Sequence, residues 1–193
     1  MLTTLETLKA RLKIIPADTT DDAQLTRFLK HVSARFEQEC NRKFARLENA
    51  ADQFPANTSD LVVNRYPLES VTGFELKTSE ATGWTALDGV DYLLRPGGVI
   101  RLRRALGAEC QLLRVTYTGG YVLPGDTPTP EQTPLPDDLE QACVEQAAFW
   151  YQRRDQVGIV NFSGEGGTLK LNEKPDLLPQ VQSVLHKYTR IVL

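Results

Sequence analysis

His31 and His186 are the only imidazoles in the 193-residue chain, and acid–base or metal chemistry would need one of them beside a carboxylate, a nucleophile or a second ligand. Neither stands in an HExxH or GxSxG setting, so both are read as interface or surface residues. Ser163-Gly164-Glu165-Gly166-Gly167 has the glycine content of a phosphate cradle. It lacks the Lys-Ser/Thr pair of a P-loop, and Lys170 opens no helix, so it reads as a hinge. Asp21-Asp22 and Asp137-Asp138 are carboxylate pairs of the kind that bind magnesium, but each begins a helical pattern, where free amides and the helix dipole account for them. Trp150-Tyr151 offers stacking surface for a base; Trp150 is expected in a core, with Tyr151 or Phe149 turned to a neighbour. Cys40, Cys110 and Cys143 lack metal-ligand spacing and read as buried thiols. The residues support no catalytic site, no cofactor and no metal, and therefore no enzyme.

The elements around these residues follow from apolar period. Leu5, Leu8 and Leu12 repeat at helical spacing behind a capping box of Thr3 and Glu6, and Pro16 ends the run. A second helix is expected from Asp21, with Leu25, Phe28, Leu29, Val32 and Phe36 as its stripe, closing near Cys40 and Asn41. From Gln53 to Tyr121 the pattern alternates: Ile100 and Leu102 oppose Arg101 and Arg103, and Leu113, Val115 and Tyr117 oppose Leu112, Arg114 and Thr116. An antiparallel meander of about five strands is the simplest reading. Gly119 to Pro136 reads as a linker. A helix of about 18 residues returns at Pro136 or Asp137, with Leu139, Cys143, Ala147 and Trp150 on one face. A Gly-rich stretch leads to a last helix through Leu177, Val181, Leu185 and Tyr188, and then to Ile191-Val192-Leu193. The expected class is α+β, a helical core of about four helices interrupted by an antiparallel β-sheet insertion. The core spans 1–50 and 122–193, with a flexible arm at 157–175, and the insertion spans 51–121.

With 22 basic and 25 acidic side chains, the net charge of -3 excludes a dedicated duplex-DNA reader, which would carry a basic excess. The N-terminus lacks an apolar h-region and no stretch reaches membrane-span length, so a soluble protein made in the cytoplasm, with no membrane partner, is expected.

The order of these pieces resembles the head-to-tail connector family of long-tailed phages and prophages, also called adaptor or head-completion proteins. The resembling segments are Leu5 to Leu12 with Asp21-Asp22, Cys40-Asn41-Arg42-Lys43-Phe44, Tyr66-Pro67-Leu68-Glu69-Ser70-Val71, Val115 to Tyr121 with its Gly119-Gly120, and Leu135-Pro136-Asp137-Asp138-Leu139. The resemblance implies a structural subunit of the virion neck, made in the host bacterial cytoplasm. It implies a ring of about twelve copies on the portal protein, DNA passing through the centre with transient non-specific contact, and a tail-side head-closure or tail-terminator protein docking next. It also implies portal binding by the C-terminal segment, here Tyr188, Arg190, Ile191, Val192 and Leu193, and contact with a neighbouring subunit through the arm, with Phe162, Leu169 and Leu171 as its apolar residues. A closed ring needs complementary surfaces on opposite sides of one subunit. Candidates are Arg101, Arg103 and Arg104, within a group that includes Arg95 and Arg114, against Asp137 and Asp138 with Glu140 and Glu145. The arginines read otherwise as a solvated strand face, ahead of a patch meeting passing DNA. Alternative functions are a head-closure or tail-completion factor, and a small-ligand or carbohydrate module using Trp84, Tyr92 and the loops around Gly97.

Overall fold

The computed structural model describes residues 1–154, 161–164, 167–170 and 176–190, the two short middle ranges by backbone alone. The chain divides into two compact units, Met1–Glu39 with Pro136–Tyr188, and Cys40–Leu135 rejoined by Thr189 and Arg190.

The first unit holds helices α1 (Leu5–Leu12), α2 (Asp22–Glu39), α3 (Asp137–Gln152) and α4 (Pro179–Tyr188), with a hairpin of β8 (Asn161–Gly164) and β9 (Gly167–Lys170). Thr4 caps α1, its hydroxyl accepting from the Thr7 amide at 3.1 Å. The expected cap, Thr3, is buried and donates to Glu140 at 2.8 Å instead. Lys13 closes the helix in the left-handed region at φ 59°. Leu25, Leu29, Val32 and Phe36 form the buried stripe of α2. Helix α3 packs against the other three and is buried on nearly every side, which its small residues Ala142, Cys143, Ala147 and Ala148 permit. Burial pushes the Cys143 thiol up to about 12. Cys110, expected inside, is exposed. Tyr151 is the buried aromatic at the end of α3, donating its hydroxyl to Asp21, while Trp150 is half-buried against His31 with ring centres 4.8 Å apart. This reverses the expected pair, because the phenol has a carboxylate to reach and a buried hydroxyl with a partner is not penalised.

The second unit carries seven antiparallel strands in two sheets, where the sequence suggested a meander of about five. Strands β1 (Leu47–Pro55), β7 (Leu112–Gly119), β3 (Leu68–Lys77) and β4 (Trp84–Leu87) form one sheet in that order, and β2 (Asp60–Val62), β6 (Val99–Leu102) and β5 (Tyr92–Arg95) form the other. The glycine and proline breaks cut the alternating region into short strands, and β7 enters between β1 and β3. Ala50, Leu61, Val63, Phe74, Ile100, Leu102, Leu113, Val115 and Tyr117, drawn from both sheets and their margins, make one core. The alternation read for β6 and β7 holds: Ile100, Leu113, Val115 and Tyr117 are fully buried.

Residues 119–136 are no loose linker. Gly120 at φ 105° runs between backbone segments where a Cβ would stand 2.7 Å from the Ala45 carbonyl, and a Cβ on Gly119 would stand 2.8 Å from that of Arg65. Tyr121 exchanges backbone hydrogen bonds with Phe44 and Arg46, and Val122 with Thr133 and Leu135, so the prolines form a closed loop.

Candidate assembly site

Side chains that read as surface charge in the sequence are largely engaged within their own unit. Arg101 pairs with Asp60 across β6 and β2, and Arg103 reaches Asp91 at 3.2 Å in an exposed pair. Arg114 bonds Glu75 at 2.6 Å and lies 4.4 Å above the Trp84 ring, whose surroundings also include the Lys77 ammonium at 5.7 Å. Arg95 and Arg104 are exposed. On the acidic side, Asp138 accepts from the Tyr188 hydroxyl at 2.5 Å and from Lys187 at 3.4 Å, which together hold its carboxyl below the usual range. Glu145 is held low by a two-pronged bond from Arg11 at 2.8 and 2.9 Å. Asp137 is exposed. The structure therefore leaves Arg95, Arg104 and Asp137 presented to solvent, ties Arg101 and Arg103 by surface pairs, and uses Asp138 to hold the end of α4.

Tyr188 and Arg190 are likewise engaged. The Arg190 amide donates to the Cys40 carbonyl at 2.8 Å, and its guanidinium donates to the Asn64 side-chain oxygen. Asn64 in turn donates to both oxygens of Asp52, at 2.6 Å from its backbone and 2.9 Å from its amide. Asp52 also accepts from the Tyr117 hydroxyl at 2.7 Å, and that hydroxyl accepts from the Arg65 amide at 3.1 Å. Burial first, and Asp52 second, push the Tyr117 phenol up. Residue 190 is thus stitched to the centre of the second unit by a polar network. Ile191, Val192, Leu193 and Leu171 lie outside the described residues, and Phe162 and Leu169 are placed only by backbone, in β8 and β9 opposite one another.

Arg42 is the charged residue whose role the sequence hid. It is buried, with its guanidinium carbon 3.2 Å from the Tyr66 ring centre, 5.0 Å from that of Phe44 and 5.4 Å from that of Tyr121, and it donates to the Tyr66 carbonyl. Burial lowers its pKa. Three separate segments of the chain meet here, and their shared signal was an arginine amid aromatics, Arg42-Lys43-Phe44, Tyr66-Pro67 and Gly120-Tyr121.

Trp84 lies beneath Arg114, and Tyr92 packs against Phe74 with ring centres 5.4 Å apart. Among the described residues no cluster of His, Cys, Asp and Glu could hold a metal ion, and no helix is long and apolar enough to cross a membrane.

No curated protein sequence matches the chain. Its fold is similar to a protein in the neck of an empty gene transfer agent particle reconstructed with C6 symmetry, at TM-score 0.59 and 15% identity over 97% of this chain and 89% of the other. A chain of a native gene transfer agent virion gives 0.56 and 18% over the same shares. A chain from the native neck reconstructed with C12 symmetry gives 0.55 and 15% over 89% and 84%. The model of a family described as head completion protein matches residues 1–191. The chain belongs to the head completion protein family, and its role is that of a structural part of the connection between head and tail.

Proposed function

We propose that the chain is a non-enzymatic ring subunit of the virion neck, seated on the portal protein and offering its far side to the next tail-side protein. The observation that carries this reading is the family match along residues 1–191. The fold shared with gene transfer agent necks, reconstructed with C6 and with C12 symmetry, supports a cyclic arrangement, with which a ring of about twelve copies is compatible. The mechanism is binding geometry: one subunit presents two different surfaces, and repetition around a closed rotation makes a channel. The net charge of -3 suits a conduit through which DNA slides, because a lining dense in Lys and Arg would hold phosphates by counterion release. Portal binding is assigned to the residues after Arg190, since Arg190 itself is bonded to Asn64 and Cys40.

Deletion of the gene in the producing strain is expected to yield DNA-filled heads and free tails that fail to join, with complementation restoring complete particles. Joined, infectious particles from the deletion would overturn the assignment.

A further inference from the structure

Strand β5 is the outer strand of its sheet, paired with β6 on one side and with no strand on the other among the described residues. Successive strand residues face opposite ways, yet Leu93 and Leu94 are 66% and 44% exposed, so apolar surface lies bare on both faces of this edge. Such an edge is a template for another strand. Arg95 ends β5, and Arg104 lies two residues beyond Leu102, the register partner of Tyr92. Both are exposed, and unlike Arg101 and Arg103 they form no ion pair among the described residues.

The β8–β9 hairpin has the opposite need. Its two four-residue strands pair with each other and with no other strand among the described residues. A lone two-stranded hairpin is marginal in water and gains from a third strand. Its strands match β5 in length.

We propose that the β8–β9 hairpin of one copy adds to the β5 edge of a neighbouring copy, making one sheet that crosses the subunit boundary. Donor and acceptor are different parts of the chain, so the contact is heterologous and propagates around a ring. The inference rests on the ring reading above and names the self-contact that closes it.

The test uses two full-length proteins, L93C and T168C, each carrying C110S to remove the exposed native thiol, Cys40 and Cys143 being buried. They are mixed, assembled on the cognate portal, and treated with a short bismaleimide. The expected product is a dimer of one L93C and one T168C chain, lost when either cysteine is absent, together with slowed amide exchange over 92–95 in rings relative to the free protein. Rings that give only L93C–L93C or T168C–T168C pairs, no cross-link, or an internal cross-link in a chain carrying both cysteines would overturn the strand addition while leaving the connector reading intact. Failure of any ring to form on the portal would overturn both.

Discussion

The backbone amide of Arg190 donates to the carbonyl of Cys40 at 2.8 Å, joining the last described residue to the first residue of the second unit. With the guanidinium on Asn64, this makes residue 190 a component of that unit's polar interior. R190A removes a charged donor and exposes the side-chain oxygen of Asn64. It should destabilise the second unit by about 1–3 kcal/mol, whereas truncation after Arg190 should leave stability unchanged and abolish portal capture. Urea unfolding followed by Trp84 fluorescence in a W150F background, with a portal pull-down alongside, separates the two effects.

Tyr117 is fully buried, and its hydroxyl stands between Asp52 and the Arg65 amide. Y117F leaves the ring in place but strips both partners of one hydrogen bond, at a cost of about 1–3 kcal/mol in the same assay. An unchanged unfolding midpoint would mean that the network contributes nothing.

Gly120 and Gly73 make a matched pair of substitutions. G120A places a Cβ against the Ala45 carbonyl at a positive φ, and should cost about 2 kcal/mol or more. G73A in β3 meets nothing within 4 Å and should be near neutral.

Acid should loosen the first unit through Glu145. Its folded pKa is depressed by Arg11, so the contribution is complete above the ordinary glutamate value and is lost as pH falls through the lower folded value. Wild-type Tm should therefore fall more than that of E145Q between about pH 6 and about pH 3. Equal losses would show that the pair does not matter, as exposed pairs often do not.

Much of the scaffold was legible because apolar period reports which face meets a core. The α2 stripe from Leu25 to Phe36 and the β7 alternation of Leu113, Val115 and Tyr117 needed no distant information. Charged residues were harder to read, because the partners that hold them lie elsewhere in the chain. Asp138 was offered as an acid for a neighbouring subunit, and its partner within the chain, Tyr188, lies fifty positions on. Gly119-Gly120 read as the start of a linker; the need for glycine comes from backbone carbonyls of Ala45 and Arg65 that no local pattern reveals.

Copies of this chain should close into a ring on the portal. Cryo-electron microscopy of the purified chain bound to its cognate portal tests it directly. The expected density is a single closed ring of this chain, coaxial with the portal and open along its axis; isolated copies bound without rotational order, or no binding to the portal, would rule the ring out.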